Sequence, residues 1–149
     1  MKVFFFFPLF ACVFAEPVKF APCDSKGQVV SVDVTPCNAE GSQPACKFSR
    51  GQNVTVTLHF TSGSEITAAK PVASAYIFGK QEPAPFTMEQ DSCERFETAC
   101  PLKPNVEHIY TTAVYVQPSF PKVRAVAQWE IHDQDDQMVV CFNVPVELV

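Results

Sequence analysis

Two alternating runs near the C-terminal end constrain the fold more than any other stretch. Val123, Ala125, Ala127, Trp129 and Ile131 alternate with Arg124, Gln128, Glu130 and His132. After the acidic turn Asp133-Gln134-Asp135-Asp136, the apolar set resumes at Met138, Val140, Phe142, Val144, Val146 and Leu148. Successive side chains point to opposite faces of a strand, so a period of two predicts two half-buried strands joined as a hairpin. A two-stranded ribbon is marginal in water and cannot cover its own apolar face. Earlier segments must therefore supply a facing sheet. Cys141 lies within the second strand; were it to pair with Cys23, the bond would tie both ends of the domain together.

The earlier segments carry the same signal. In Gln28 to Thr35, Val30, Val32 and Val34 face one way and Ser31, Asp33 and Thr35 the other, until Pro36 stops the strand. Arg50-Gly51-Gln52 turns into the clearest strand, with Val54, Val56, Leu58 and Phe60 on one face and Asn53, Thr55, Thr57, His59 and Thr61 on the other. Pro71 to Phe78 and Glu107 to Val116 are further strands. Between them, Gln81 to Met88 reads as a loop or an edge segment, because Pro83 and Pro85 remove backbone donors. The sum is about seven strands with no helix beyond a turn, the pattern of an all-β, antiparallel two-sheet sandwich.

Met1 to Ala15 reads as a signal peptide: Lys2 precedes a run from Val3 to Phe14 that is almost wholly apolar yet too short to span a bilayer. A domain from Glu16 to Val149 follows. Of seven cysteines, Cys12 departs with the leader, leaving 23, 37, 46, 93, 100 and 141. An even count fits three bridges in an oxidising compartment, although six cysteines allow fifteen connectivities. Short loops bias the choice toward Cys37 with Cys46 and Cys93 with Cys100. No CxxC pair suggests zinc.

Chemistry for catalysis is not visible. The chain lacks HExxH, GxSxG, a phosphate-binding glycine loop and a calcium loop, and His59, His108 and His132 are scattered. No cofactor is expected. His59 reads as a solvated histidine, and Asp133, Asp135 and Asp136 read as a solvated hairpin turn. The formal net charge of −5 is mixed along the chain, which argues against a nucleic-acid partner. Asn53-Val54-Thr55 is an N-glycosylation acceptor on the polar phase of its strand. What remains is an interior rich in aliphatic and aromatic side chains, which two sheets can close as dry core or part to admit an apolar ligand.

A family resemblance joins these features. Phe20-Ala21-Pro22-Cys23 with Gly27 and Val29, Pro36-Cys37, Cys46, Arg50-Gly51-Gln52-Asn53-Val54-Thr55, Phe60, Cys93, Cys100-Pro101-Leu102, Phe120-Pro121, Trp129-Glu130-Ile131 with Asp133, and Cys141-Phe142 with Val144-Pro145-Val146 occur in order. In these stretches the chain resembles the Niemann-Pick type C2 proteins, members of the MD-2-related lipid-recognition group that also contains the mite group 2 allergens. The resemblance implies an immunoglobulin-like antiparallel β-sandwich with an apolar cavity between its sheets. It implies a monomeric, non-enzymatic carrier of cholesterol or related lipids, secreted or lysosomal, that meets a membrane surface or membrane transporter during transfer. An accessory module presenting a microbial lipid to a receptor is the alternative. The pairings implied are Cys23–Cys141, Cys37–Cys46 and Cys93–Cys100, and the implied ligand contacts are Phe86, Val116 and Phe120. Position 120 is tyrosine in mammalian members, so Phe120 keeps the apolar contact without a phenolic donor.

Overall fold

Residues 20–37, 45–86 and 93–149 are described by the computed structural model; Met1 to Ala15, the expected signal peptide, lies outside them. The order is β1 (Ala21–Pro22), β2 (Gln28–Thr35), β3 (Cys46–Phe48), β4 (Asn53–Thr61), β5 (Lys70–Ile77), β6 (Ala84–Phe86), a 3-10 turn (Cys93–Arg95), β7 (Glu107–Tyr115), β8 (Arg124–His132) and β9 (Met138–Leu148). They form two sheets. One holds β2-β4-β7, and the other runs β1-β9-β8-β5-β6 with β3 also on β9. The long strands follow the alternation of the sequence except in β2. Along β4, for example, Val54, Val56, Leu58 and Phe60 are buried while Asn53 and Thr55 are exposed. In β2 a bulge between Val29 and Ser31 leaves Val30 51% exposed, so it does not face inward with Val32 and Val34 as the alternation suggests.

Three short strands depart from the expected pattern. β1 and β3 both pair with β9, at Phe142–Asn143 and at Val146–Leu148, and β3 does so in parallel, so the sheet is not wholly antiparallel. Since β8 already occupies the other edge of β9, the two pieces cover one edge in succession. β6 pairs with β5 over three residues and, with Pro85 at its centre, ends the sheet as an edge.

The polypeptide crosses between sheets at Gly27. Cys23 N–H donates to Cys141 O and Gly27 N–H to Val139 O, at 3.0 and 2.9 Å, before β2 begins in the other sheet. A Cβ at Gly27 would collide with the carbonyls of Val139 and Thr61, so the close approach requires glycine. Disulfides join Cys23 to Cys141, Cys37 to Cys46 and Cys93 to Cys100, the pairs that the family resemblance implies.

One end of the sandwich is plugged. Ile66 and Leu102 exchange backbone hydrogen bonds of 3.1 and 2.8 Å, Phe96 forms a bridge with Tyr110, and the Cys93–Cys100 bond closes the segment between. Phe60, Phe96 and Tyr110 stack edge-wise or tilted at 5.3 to 5.9 Å, arrangements that aromatic quadrupoles favour. Asp133 corrects the reading of a solvated turn: it is 1% exposed. Its Oδ1 accepts the backbone N–H groups of Asp135 and Gln137, both at 2.9 Å, so the carboxylate folds inward to pair donors that the turn leaves free.

Candidate functional site

The other end of the sandwich is hollow. A cavity of about 170 Å³ separates the sheets there, more than ten times the room that one water needs. Its cause lies in side-chain volume. Sheets pack about 10 Å apart when their inward side chains fill the gap. Here four of the inward positions of β5 and β8 are alanine, Ala73, Ala75, Ala125 and Ala127, and each lines the cavity. Ala75 stands opposite Ala127, whose other neighbour is Val144 on β9. Val54, Val56 and Val114 on the facing sheet do not reach far enough to fill the space that these methyl groups leave.

The floor is aromatic. Trp129 and Phe142 stand side by side in register on β8 and β9 and line the inner end. Trp129 also packs against Tyr110 of the plugged end, with ring centroids 6.4 Å apart, so its indole divides closed core from hollow. The mouth lies where β7 and β9 end and β8 begins. Phe48, Pro85, Phe120, Pro121, Val123 and Leu148 surround it. Every described residue lining the cavity is uncharged, and all but Ser74 and Gln128 are apolar. Apolar cavities of this size in proteins stay dry and take up apolar molecules.

A cluster of hydrogen bonds builds one lip of the mouth. Gly51 N–H donates to Val116 O at 2.6 Å, and Val116 N–H to Gln52 O at 2.9 Å. Arg50 Nη1 donates to the carbonyls of Pro118 and Phe120, 3.2 Å each. The positive φ of Gly51, 86°, lets this turn lie against Pro118. Thus the Arg50-Gly51-Gln52 turn, which in the sequence serves only to start a strand, holds the segment bearing Val116 and Phe120.

Two of the three residues expected at a ligand come together. Val116 is 5% exposed and Phe120 half-buried, and both line the cavity. Phe86 ends β6 opposite the cavity-lining Ala73, and only its backbone lies among the described residues. The alanines were not singled out from the sequence. Their signal is a small residue at consecutive inward positions of two strands, Ala73 with Ala75 and Ala125 with Ala127, inside runs that otherwise favour bulk.

The histidines do not converge. His59 is half-buried, with Nδ1 3.7 Å from Glu107; His108 is buried, with Nε2 2.8 Å from Lys103 O; and His132 Nε2 is 3.0 Å from Glu130. Burial of His108 follows from its inward position on β7, beside Phe60. No group of three potential metal ligands occurs among the described residues. Asn53 is exposed at the start of β4, on the face away from the cavity.

Comparison with known proteins gives a consistent picture. Residues 17–148 match the ML domain. NPC intracellular cholesterol transporter 2 of Danio rerio is 35% identical over 136 residues, covering 91% of this chain and 87% of that protein. The Bos taurus protein of the same name is 34% identical and covers 97% and 94%. A crystal structure of a Niemann-Pick type C2 protein from Japanese carpenter ant superposes with a TM-score of 0.78 at 22% identity, covering 88% of this chain and 99% of that one. That last likeness speaks for the β-sandwich alone.

Proposed function

The chain belongs to the ML domain family, and from that premise we propose that it carries a sterol or a similar apolar lipid between the sheets of its sandwich, without covalent chemistry. The observation that carries this reading is the uncharged, alanine-walled cavity. An empty apolar hollow forfeits packing contacts and costs stability, whereas a ligand restores them. A sterol losing about 400 Å² of apolar surface to such a site would gain roughly 10 kcal/mol before association costs. Phe86, Val116 and Phe120 are the contacts assigned to the ligand route.

In this reading Met1 to Ala15 is removed on export and 16–149 is the working domain. Three disulfides suit a secreted or lysosomal protein. The protein acts as a monomer and exchanges its cargo at a membrane surface or with a membrane transporter. Native mass spectrometry of protein purified from its own source tests the proposal. A sterol-sized mass released by organic extraction at one per chain is the expected result, and a lipid-free protein that also fails to take up sterol would refute it.

A further inference from the structure

A tyrosine stands where the first sugar of a glycan would lie. Asn53 and Tyr115 are directly opposite each other, at the ends of β4 and β7 that border the mouth. Val116 N–H donates to Gln52 O at 2.9 Å, which makes Gln52 and Val116 a hydrogen-bonded pair. Pair types alternate along antiparallel strands, so Asn53 and Tyr115 form the closer, non-hydrogen-bonded kind, with Cα atoms about 4.5 Å apart. Both side chains point away from the cavity. Their sequence neighbours Val54, Val114 and Val116 line it, whereas Asn53 is exposed and Tyr115 is 51% exposed.

A single exposed tyrosine needs no explanation. This one is set apart by its surroundings. β7 is the edge of its sheet, so no further strand of that sheet stands beside the ring. The next outward residues, Thr55 on β4 and Ala113 on β7, are small and lie opposite each other. The acceptor Asn53-Val54-Thr55 therefore presents its asparagine and its threonine outward, beside an open aromatic ring. An N-glycan begins with N-acetylglucosamine, a pyranose with equatorial substituents whose axial C–H bonds form an apolar face. Such C–H groups are drawn to the electron-rich face of an aromatic ring, and the contact withdraws apolar surface from water. We propose that the glycan on Asn53 packs its first sugar on the face of Tyr115, so that the modification becomes part of the fold and braces the β4–β7 edge beside the lip. This inference rests on glycosylation of Asn53 and is independent of the cargo.

The test uses protein secreted by eukaryotic cells with isotope-labelled tyrosine, its glycan trimmed enzymatically to one N-acetylglucosamine. The three tyrosines are separable, since Tyr110 is buried and Tyr76 lies on β5 in the other sheet. Tyr115 ring protons should show nuclear Overhauser contacts to the axial protons of the sugar, whose resonances should move upfield in the ring current. Urea denaturation then compares this protein with the same sequence made without glycan in a bacterial periplasm, each with Tyr115 and with Tyr115→Thr. The sugar should raise the folding constant about fivefold with Tyr115 in place and leave it nearly unchanged in Tyr115→Thr. The sugar-to-ring contacts of the unsubstituted protein decide the matter if the variant misfolds. Glycosylated protein that lacks those contacts, gains no stability from the sugar, or gains as much in folded Tyr115→Thr overturns the inference and leaves Asn53 a glycan site. An unmodified Asn53 removes the glycan and this inference together and leaves the carrier reading untouched.

Discussion

Ala75 and Ala127 lie directly opposite each other on β5 and β8, and both face the cavity. Opposed residues on neighbouring strands bring their Cβ atoms to within about 5 Å, so the two methyl groups make a shallow wall where larger side chains would meet the facing sheet. Ala127→Leu should fill this space from within. Apo stability should hold or rise by about 0.5 to 2 kcal/mol, while sterol affinity falls at least about tenfold. Urea midpoints beside a fluorescent-sterol titration measure both. Lower stability with undiminished binding would show that the hollow is not the binding site.

Phe120 and Phe60 should respond in opposite ways. Phe120→Ala removes apolar contact at the mouth and should weaken sterol binding by about 1 to 3 kcal/mol with much of the stability retained. Phe60 is 0% exposed at the plugged end, and Phe60→Ala should cost about 3 to 5 kcal/mol of stability. Val116→Phe adds bulk where the ligand needs room, so it should block binding in a folded protein. Unchanged affinity in folded Phe120→Ala and Val116→Phe would remove both from the ligand route.

Arg50→Ala deletes two hydrogen bonds to the lip carbonyls of Pro118 and Phe120 but leaves those between Gly51, Gln52 and Val116. Because the guanidinium contacts are exposed, the stability loss should stay near 1 kcal/mol. A loosened lip should release sterol about fivefold faster, the rate equivalent of that energy. Stopped-flow dissociation into acceptor vesicles reads the effect, and an unchanged rate would separate the lip from cargo exchange.

The three disulfides should differ in worth. The Cys23–Cys141 bond spans 118 residues and the Cys37–Cys46 bond spans 9. In the chain-entropy model these spans correspond to nearly 5 and about 2.5 kcal/mol. Paired serine substitutions compared by urea denaturation should give that order. A reversal would mean that native-state strain or residual structure in the unfolded chain dominates.

Asn53 should carry a glycan on protein from its natural source, because its acceptor sequence opens β4 on the exposed face. Enzymatic removal of N-glycans should lower the mass at the peptide containing Asn53. An unmodified peptide would exclude it.

Much of the fold was legible because one physical rule governs long strands. Along β4 and β8, burial largely alternates where the residues do, whereas in β9 Val139 to Phe142 are all buried and only the second half alternates. The short strands were not legible. β1 and β3 have two and three residues and are strands only because the edge of β9 is there to receive them, a tertiary fact with no local signature. Asp133 escaped for a related reason: an acidic turn looks solvated until its carboxylate is seen to gather two backbone donors. At the cavity, Val116 and Phe120 were reached through family resemblance, while the alanines that create the space passed as ordinary strand residues. Hollowness arises from what two strands jointly omit, and neither strand displays it alone.

The indole of Trp129 therefore has a consequence for how such a protein can diversify. The close-packed aromatic cluster of Phe60, Phe96 and Tyr110 lies on one side of the ring, while the alanines and valines that set the shape of the cavity lie on the other. A lineage can thus re-tailor what it carries by trading methyl groups at Ala73, Ala75, Ala125 and Ala127, without reopening the question of whether the chain will fold.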